Sequence, residues 1–173
     1  MHKFFDAVER MENEIPEYGY SEKARFDETD RKVRDLVSSD VREIKDAMFH
    51  VVQVSYELQK DDLSKAAEGA WDDVSALLSR VQSSRLCTCR KHADEGCESC
   101  RDNAQRKLDE LVKKDRELVD SVREMKASVR QLYAALLGKG REGYFIRNLD
   151  QVKKYVEQVT AILQEREKIV RGE

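Results

Sequence analysis

The sequence predicts an all-α protein: an antiparallel four-helix bundle made of two long, coiled-coil-like helical hairpins. A short N-terminal helix precedes them, and a metal-binding loop with four cysteines joins them. Three observations carry this reading. Apolar residues recur at steps of three and four over long stretches, which is the signature of helix faces. Helix breakers are confined to a few points: the single proline is Pro16, and three of the seven glycines lie in Gly138-Lys-Gly140-Arg-Glu-Gly143. All four cysteines fall in one short segment, Cys87-Thr-Cys89-Arg-Lys-His-Ala-Asp-Glu-Gly-Cys97-Glu-Ser-Cys100.

Residues 2–15 carry Phe4, Phe5, Val8, Met11 and Ile15 on one face and form a short amphipathic helix. Pro16 ends it, because proline disfavours the α region in the residue before it. A loop comes next, with Ser21 as a candidate cap for the second helix.

From about Glu22 to Lys60 the stripe Phe26, Val33, Val37, Val41, Ile44, Met48, Val51 and Leu58 predicts one long helix. Lys60-Asp61-Asp62 breaks the pattern, and either aspartate suits the N-terminal cap of the third helix. Leu63 to about Leu86 is this return helix, with Leu63, Ala67, Ala70, Val74, Leu77 and Val81 on its stripe. A short link between two such helices implies an antiparallel hairpin.

Arg101 to Leu137 holds the longest heptad seam. Leu108, Leu111, Leu118, Val122, Met125, Val129, Leu132 and Leu136 keep the rhythm, with one polar break at Asp115. The glycine-rich segment then stops the helix, and Tyr144 to Val170 repeats the pattern with Phe145, Leu149, Val152, Val156, Val159 and Leu163. The whole chain, 1–173, reads as a single helical domain. Residues 1–20 are its N-terminal helix and loop, 21–86 the first hairpin, 87–100 the cysteine loop and 101–173 the second hairpin. Val41-Arg-Glu-Ile-Lys-Asp-Ala-Met resembles Val122-Arg-Glu-Met-Lys-Ala-Ser-Val, a likeness that heptad helices share in general.

Cys87, Cys89, Cys97 and Cys100 are the expected metal ligands. Two close cysteine pairs across a short loop suit tetrahedral Zn²⁺, whose four thiolates lie at about 2.3 Å. C-x-C is tighter than the usual zinc pair, and His92 between the pairs is the alternative fourth ligand. An iron–sulfur cluster takes the same four cysteines, and a redox-active thiol set is the third reading. Arg85, Arg90, Lys91 and Arg101 favour thiolate, which serves metal binding and oxidation alike.

Charge is almost balanced, 32 Lys and Arg against 35 Asp and Glu, so no global basic field attracts nucleic acid or anionic membrane. No apolar run reaches the roughly 20 residues that span a bilayer. The N-terminal stretch does not read as a secretory signal. The expected setting is therefore the cytoplasm, where clustered cysteines bind metal rather than pair as disulfides.

The only candidate nucleic-acid patch is the cysteine tip itself. Between Arg80 and Lys107 there are seven Lys and Arg against four Asp and Glu. No aromatic residue is interleaved for base stacking. The heptad pattern of Phe26–Leu78 resembles the opening hairpin of translin-type nucleic-acid-binding helical proteins. That likeness covers less than a third of the chain, and neither that family's acidic RNase residues nor any other role is carried over.

His50 lacks an acidic partner at metal spacing, so it reads as structural. Trp71, Tyr133, Tyr144 and Tyr155 lie on or beside the apolar stripes and read as core or interface. No catalytic residue set emerges and the chain is not expected to be an enzyme. The functional expectation is a non-enzymatic scaffold or interaction protein stabilised by structural zinc. It binds a protein partner or self-associates as an oligomer through its heptad seams.

Overall fold

The computed structural model describes residues 2–20, 23–86, 98–138 and 142–171, with side chains described for 8–20, 26–86, 106–138 and 143–171. It contains helices α1 (His2–Glu14), α2 (Lys23–Glu57), α3 (Asp61–Ser83), α4 (Glu98–Leu137) and α5 (Glu142–Arg171), and no strand among the described residues. The all-α bundle expected from the heptads is therefore present. The cysteine segment 87–97 and the candidate cap Ser21 lie outside the described residues.

The bundle is a ring in the order α2, α3, α5, α4, with α2 diagonal to α5 and α3 diagonal to α4. Directions are fixed by cross-helix contacts. Asp40 of α2 meets Lys126 of α4 and Glu43 meets Arg130, so these helices run parallel. Lys114 meets Glu165 and Ser121 meets Gln158, so α4 and α5 are antiparallel. Lys45 lies over Trp71 while Asp30 reaches the backbone of Leu86, so α2 and α3 are antiparallel too. Both hairpin turns thus share one end, here called distal. The start of α2, the end of α3 and the start of α4 share the other, proximal end.

The seams face inward. Val33, Val37, Val41, Ile44, Met48 and Val51 of α2 are fully buried, as are Leu118, Val122, Met125, Val129 and Leu132 of α4. Burying one such side chain contributes about 1.5–3 kcal/mol, so a seam of five or six outweighs any single polar contact in the bundle. Helix α1 stands outside the ring and, among the described helices, packs on α4. Its Met11 is buried there near Val119, and Ile15 beyond its end is buried as well; Val112 and Val119 form a second apolar stripe on α4.

Several boundaries differ from the sequence reading for local reasons. The first hairpin turns at Leu58–Lys60, where Gln59 adopts φ of 54°, and Leu58 is exposed instead of continuing the stripe. The residue before α3 is Lys60, which makes no side-chain cap. Asp61 and Asp62 lie inside the first turn of α3, where their charge favours the positive helix end without capping it. Helix α3 stops at Ser83, three residues early, and the N–H of Ser84 closes it on the Arg80 carbonyl. Helix α4 begins at Glu98, three residues before the expected Arg101, so Cys100 belongs to its first turn.

Gly69 lies in the middle of α3, where a glycine weakens a helix. A Cβ there would meet only the Lys153 ammonium at 3.5 Å, an ordinary contact with the end of a flexible side chain. Gly69→Ala is expected to stabilise the protein by about 0.5–1 kcal/mol, seen as a higher urea midpoint at unchanged slope.

Candidate functional site

The proximal end holds a layer of buried charge. Arg166 of α5 is 1% exposed in its side chain, Asp115 of α4 is 0% and Asp30 of α2 is 3%. Arg166 donates through Nε to Asp115 Oδ1 at 2.6 Å and through Nη2 across the ring to Asp30 Oδ1 at 3.2 Å. Asp30 Oδ2 accepts from Arg34 Nε at 2.9 Å and from the Leu86 backbone N–H at 3.4 Å. Two carboxylates and two guanidinium groups therefore cancel. That is the condition for burying charge without a penalty of several kcal/mol per unpaired ion.

The loop after α1 completes the layer. Its turn is set by Glu17 at φ 62° and by the Tyr18 N–H bonding the Ile15 carbonyl at 3.0 Å. Thr29 holds it from α2 by donating to the Gly19 carbonyl at 2.6 Å, and Lys32 donates to the Pro16 carbonyl at 3.1 Å. So anchored, the loop inserts two phenols. Tyr18 and Tyr20 both donate to Asp115 Oδ2, at 2.8 and 2.5 Å. Their rings pack edge to face at 5.8 Å, and Tyr20 continues onto Phe26 at 4.9 Å.

Burial raises the Tyr18 and Tyr20 hydroxyls well above the ordinary tyrosine value, and the neighbouring Asp115 carboxylate raises them further. Burial also pushes Asp115 up, against the opposing pull of Arg166 and the two phenols. For Arg166, burial works against the charge, but the Asp115 carboxylate prevails and holds the guanidinium protonated. Tyr18, Tyr20, Asp115 and Arg166 face one another inside the bundle, where Arg166 Nη1 has no hydrogen-bond partner among the described residues, while Arg34, the outer guanidinium of the layer, lines a surface cleft with Asp35, Ser38, Arg42 and Gln82. The clefts are open grooves, such as one of about 420 Å³ between α4 and α5 that Lys113, Lys114, Glu117 and Glu165 line, the last three as salt-bridged side chains. The layer as built is a structural clasp joining α2, α4, α5, the end of α3 and the N-terminal loop.

Of the polar residues marked in the sequence, Asp115 enters this layer. Cys87, Cys89, His92 and Cys97 lie outside the described residues; of Cys100 the backbone is described, in the first turn of α4. Among the described residues no group of three or more His, Cys, Asp or Glu is arranged to hold a metal. His50 is exposed on α2, 3.1 Å from Gln53 Oε1. Trp71, Tyr133 and Tyr155 are half-buried and Tyr144 is exposed. Gly138 forms the turn that ends α4 and Gly143 lies in the first turn of α5. No helix among the described residues is long and apolar enough to cross a membrane.

The sequence reading missed Arg166, Asp30, Tyr18 and Tyr20. The first two had a signal: Arg166 continues the step from Val159 and Leu163, and Asp30 fills the gap between Phe26 and Val33. Comparison of the chain with family models, with curated proteins and with solved structures returned no match.

Proposed function

We propose that this chain is a non-enzymatic cytoplasmic scaffold that acts by binding protein. A structural Zn²⁺ held by Cys87, Cys89, Cys97 and Cys100 braces its proximal end. The observation that carries the reading is the confinement of all four thiols to residues 87–100, between the end of the first hairpin and the first turn of α4. That connection leaves the first hairpin at Leu86, whose N–H is tied to buried Asp30. It joins α4 at Glu98. The donor set fits Zn²⁺ by chemistry: four thiolates satisfy a closed tetrahedral site, and the N-terminal dipole of α4 favours thiolate at Cys97 and Cys100. Bound there, the metal would supply folding energy to a loop with little apolar surface of its own. The charge layer supports the non-enzymatic part, since both its carboxylates, Asp30 and Asp115, are committed to Arg34, Arg166 and the two phenols inside the bundle.

Metal analysis of freshly purified protein tests this directly. One Zn²⁺ per chain is expected, and Cys→Ser at any of the four positions should lower that content sharply. Chelation should reduce hydrogen-exchange protection near Leu86 and the start of α4 while sparing the distal turns. Visible absorbance from iron and sulfide would replace zinc by a cluster, and disulfides in the native protein would remove the metal from the reading altogether. Nucleic-acid binding that weakens steeply with salt would favour the basic cysteine tip as the working surface instead.

A further inference from the structure

The heptad seams are consumed inside the ring, so self-association needs another surface, and α2 carries one. Arg42, Asp46, Phe49, Gln53 and Tyr56 form a second row at steps of four and three, on the side of α2 away from the core. Phe49 is 48% exposed and Tyr56 55%. Rings extend the row sideways: Trp71 of α3 lies 6.4 Å from Phe49, and Tyr133 of α4 lies 6.0 Å from His50. All five exposed large apolar residues among the described ones, which also include Leu58, Leu137 and Tyr144, belong to this distal half. Scattered exposed apolar residues need no explanation, but a cluster at one end marks an interaction surface.

The charges along the row identify the occupant. Arg42 lies on the proximal side of Phe49 and Glu57 on the distal side. Both are exposed, and neither makes an ion pair among the described residues. An antiparallel copy of the same face, related by a two-fold axis between Phe49 and His50, brings Arg42 level with Glu57, which flanks the row beside Tyr56, on the second copy. The same register sets Asp46 opposite Gln53 and Phe49 opposite His50. Every pair occurs twice, which is the isologous contact that a two-fold dimer requires. The aromatic residues at its centre are of the kind enriched in interface cores.

We infer that the outer face of α2 from Arg42 to Glu57 is a homodimer interface in which two copies pack antiparallel through Phe49. The inference rests on the protein-binding reading above and gives it a surface and a partner.

Sedimentation of the full chain across the micromolar range tests it. The wild-type protein should dimerise. Phe49→Glu should weaken the dimer by about 100-fold or more, as loss of a central aromatic anchor does. Arg42→Glu and Glu57→Arg should each weaken it about tenfold, and the double variant should return to near the wild-type affinity, because the swapped charges again oppose one another. All these side chains are exposed, so helical circular dichroism should not change. A wild-type monomer throughout, a Phe49→Glu dimer of unchanged affinity, or a double variant as weak as the sum of its singles would overturn the inference. Zinc content of the same samples reports on the scaffold reading separately. A zinc-loaded monomer would sink the dimer and leave a heterologous partner standing.

Discussion

Arg166→Ala is expected to lower the unfolding free energy by about 3–5 kcal/mol, the usual cost of removing one partner from a buried ion pair. The side chain is 1% exposed and, among the described residues, is the only cation that reaches Asp115, which is itself 0% exposed. Without it Asp115 keeps two phenol donors but no counter-charge, and Asp30 keeps only Arg34 and one backbone N–H. Domains of ordinary stability have about 5–15 kcal/mol in total, so this one substitution removes a large part of the reserve. Urea unfolding should show a lower midpoint at unchanged slope. Combining Asp115→Leu with Arg166→Met should cost much less than the sum of the two singles, because no orphan charge remains on either of them. A loss below about 1 kcal/mol for Arg166→Ala would mean that water reaches the layer and the clasp is not a dry one.

The legible part of this fold is the part made of local interactions. Helix positions came through because apolar period is a property of neighbouring residues; the α2 and α4 stripes are the buried seams. Helix ends shifted by three residues at Ser83 and Glu98, since termini depend on capping contacts that periodicity does not encode. Asp61 and Asp62 illustrate the same limit. Their composition fits a cap, yet the chain turns earlier, at Gln59.

The charge layer was half legible. Asp115 is visible as an interruption in an otherwise apolar seam, and Asp30 and Arg166 interrupt their own seams in the same way. Three charged seam breaks of both signs, one on each of three helices, are a readable pattern once the helices are taken together, and Arg34 completes the balance. What no single stripe reveals is that the three fall at one level of the bundle. The ring order that lets Arg166 cross to Asp30 is equally hidden. Tyr18 and Tyr20 carry no periodic signal, because they sit in a loop whose path is fixed by Thr29 and Lys32 on another element.

The same two phenols should make stability fall steeply in alkali. In the unfolded chain a tyrosine begins to ionise near pH 10. In the folded protein Tyr18 and Tyr20 hold their protons well above that, because a buried phenolate would sit unsolvated against the Asp115 carboxylate. Above pH 10 the unfolded state therefore binds fewer protons than the folded state, and stability falls as pH rises. The contribution of the pair is fully present below pH 10. It is lost above that at about 1.4 kcal/mol per pH unit for each tyrosine, or about 2.7 kcal/mol for both. The tyrosinate absorbance of Tyr18 and Tyr20 should accordingly appear only together with cooperative loss of helical circular dichroism. Tyr20→Phe should halve that part of the absorbance and halve the slope of the loss. It should also lower stability near neutral pH by about 1–3 kcal/mol, since Asp115 then loses one of its donors inside the bundle. Ionisation of all six tyrosines in a single stage with the helices intact would show that solvent reaches the Asp115 layer without unfolding.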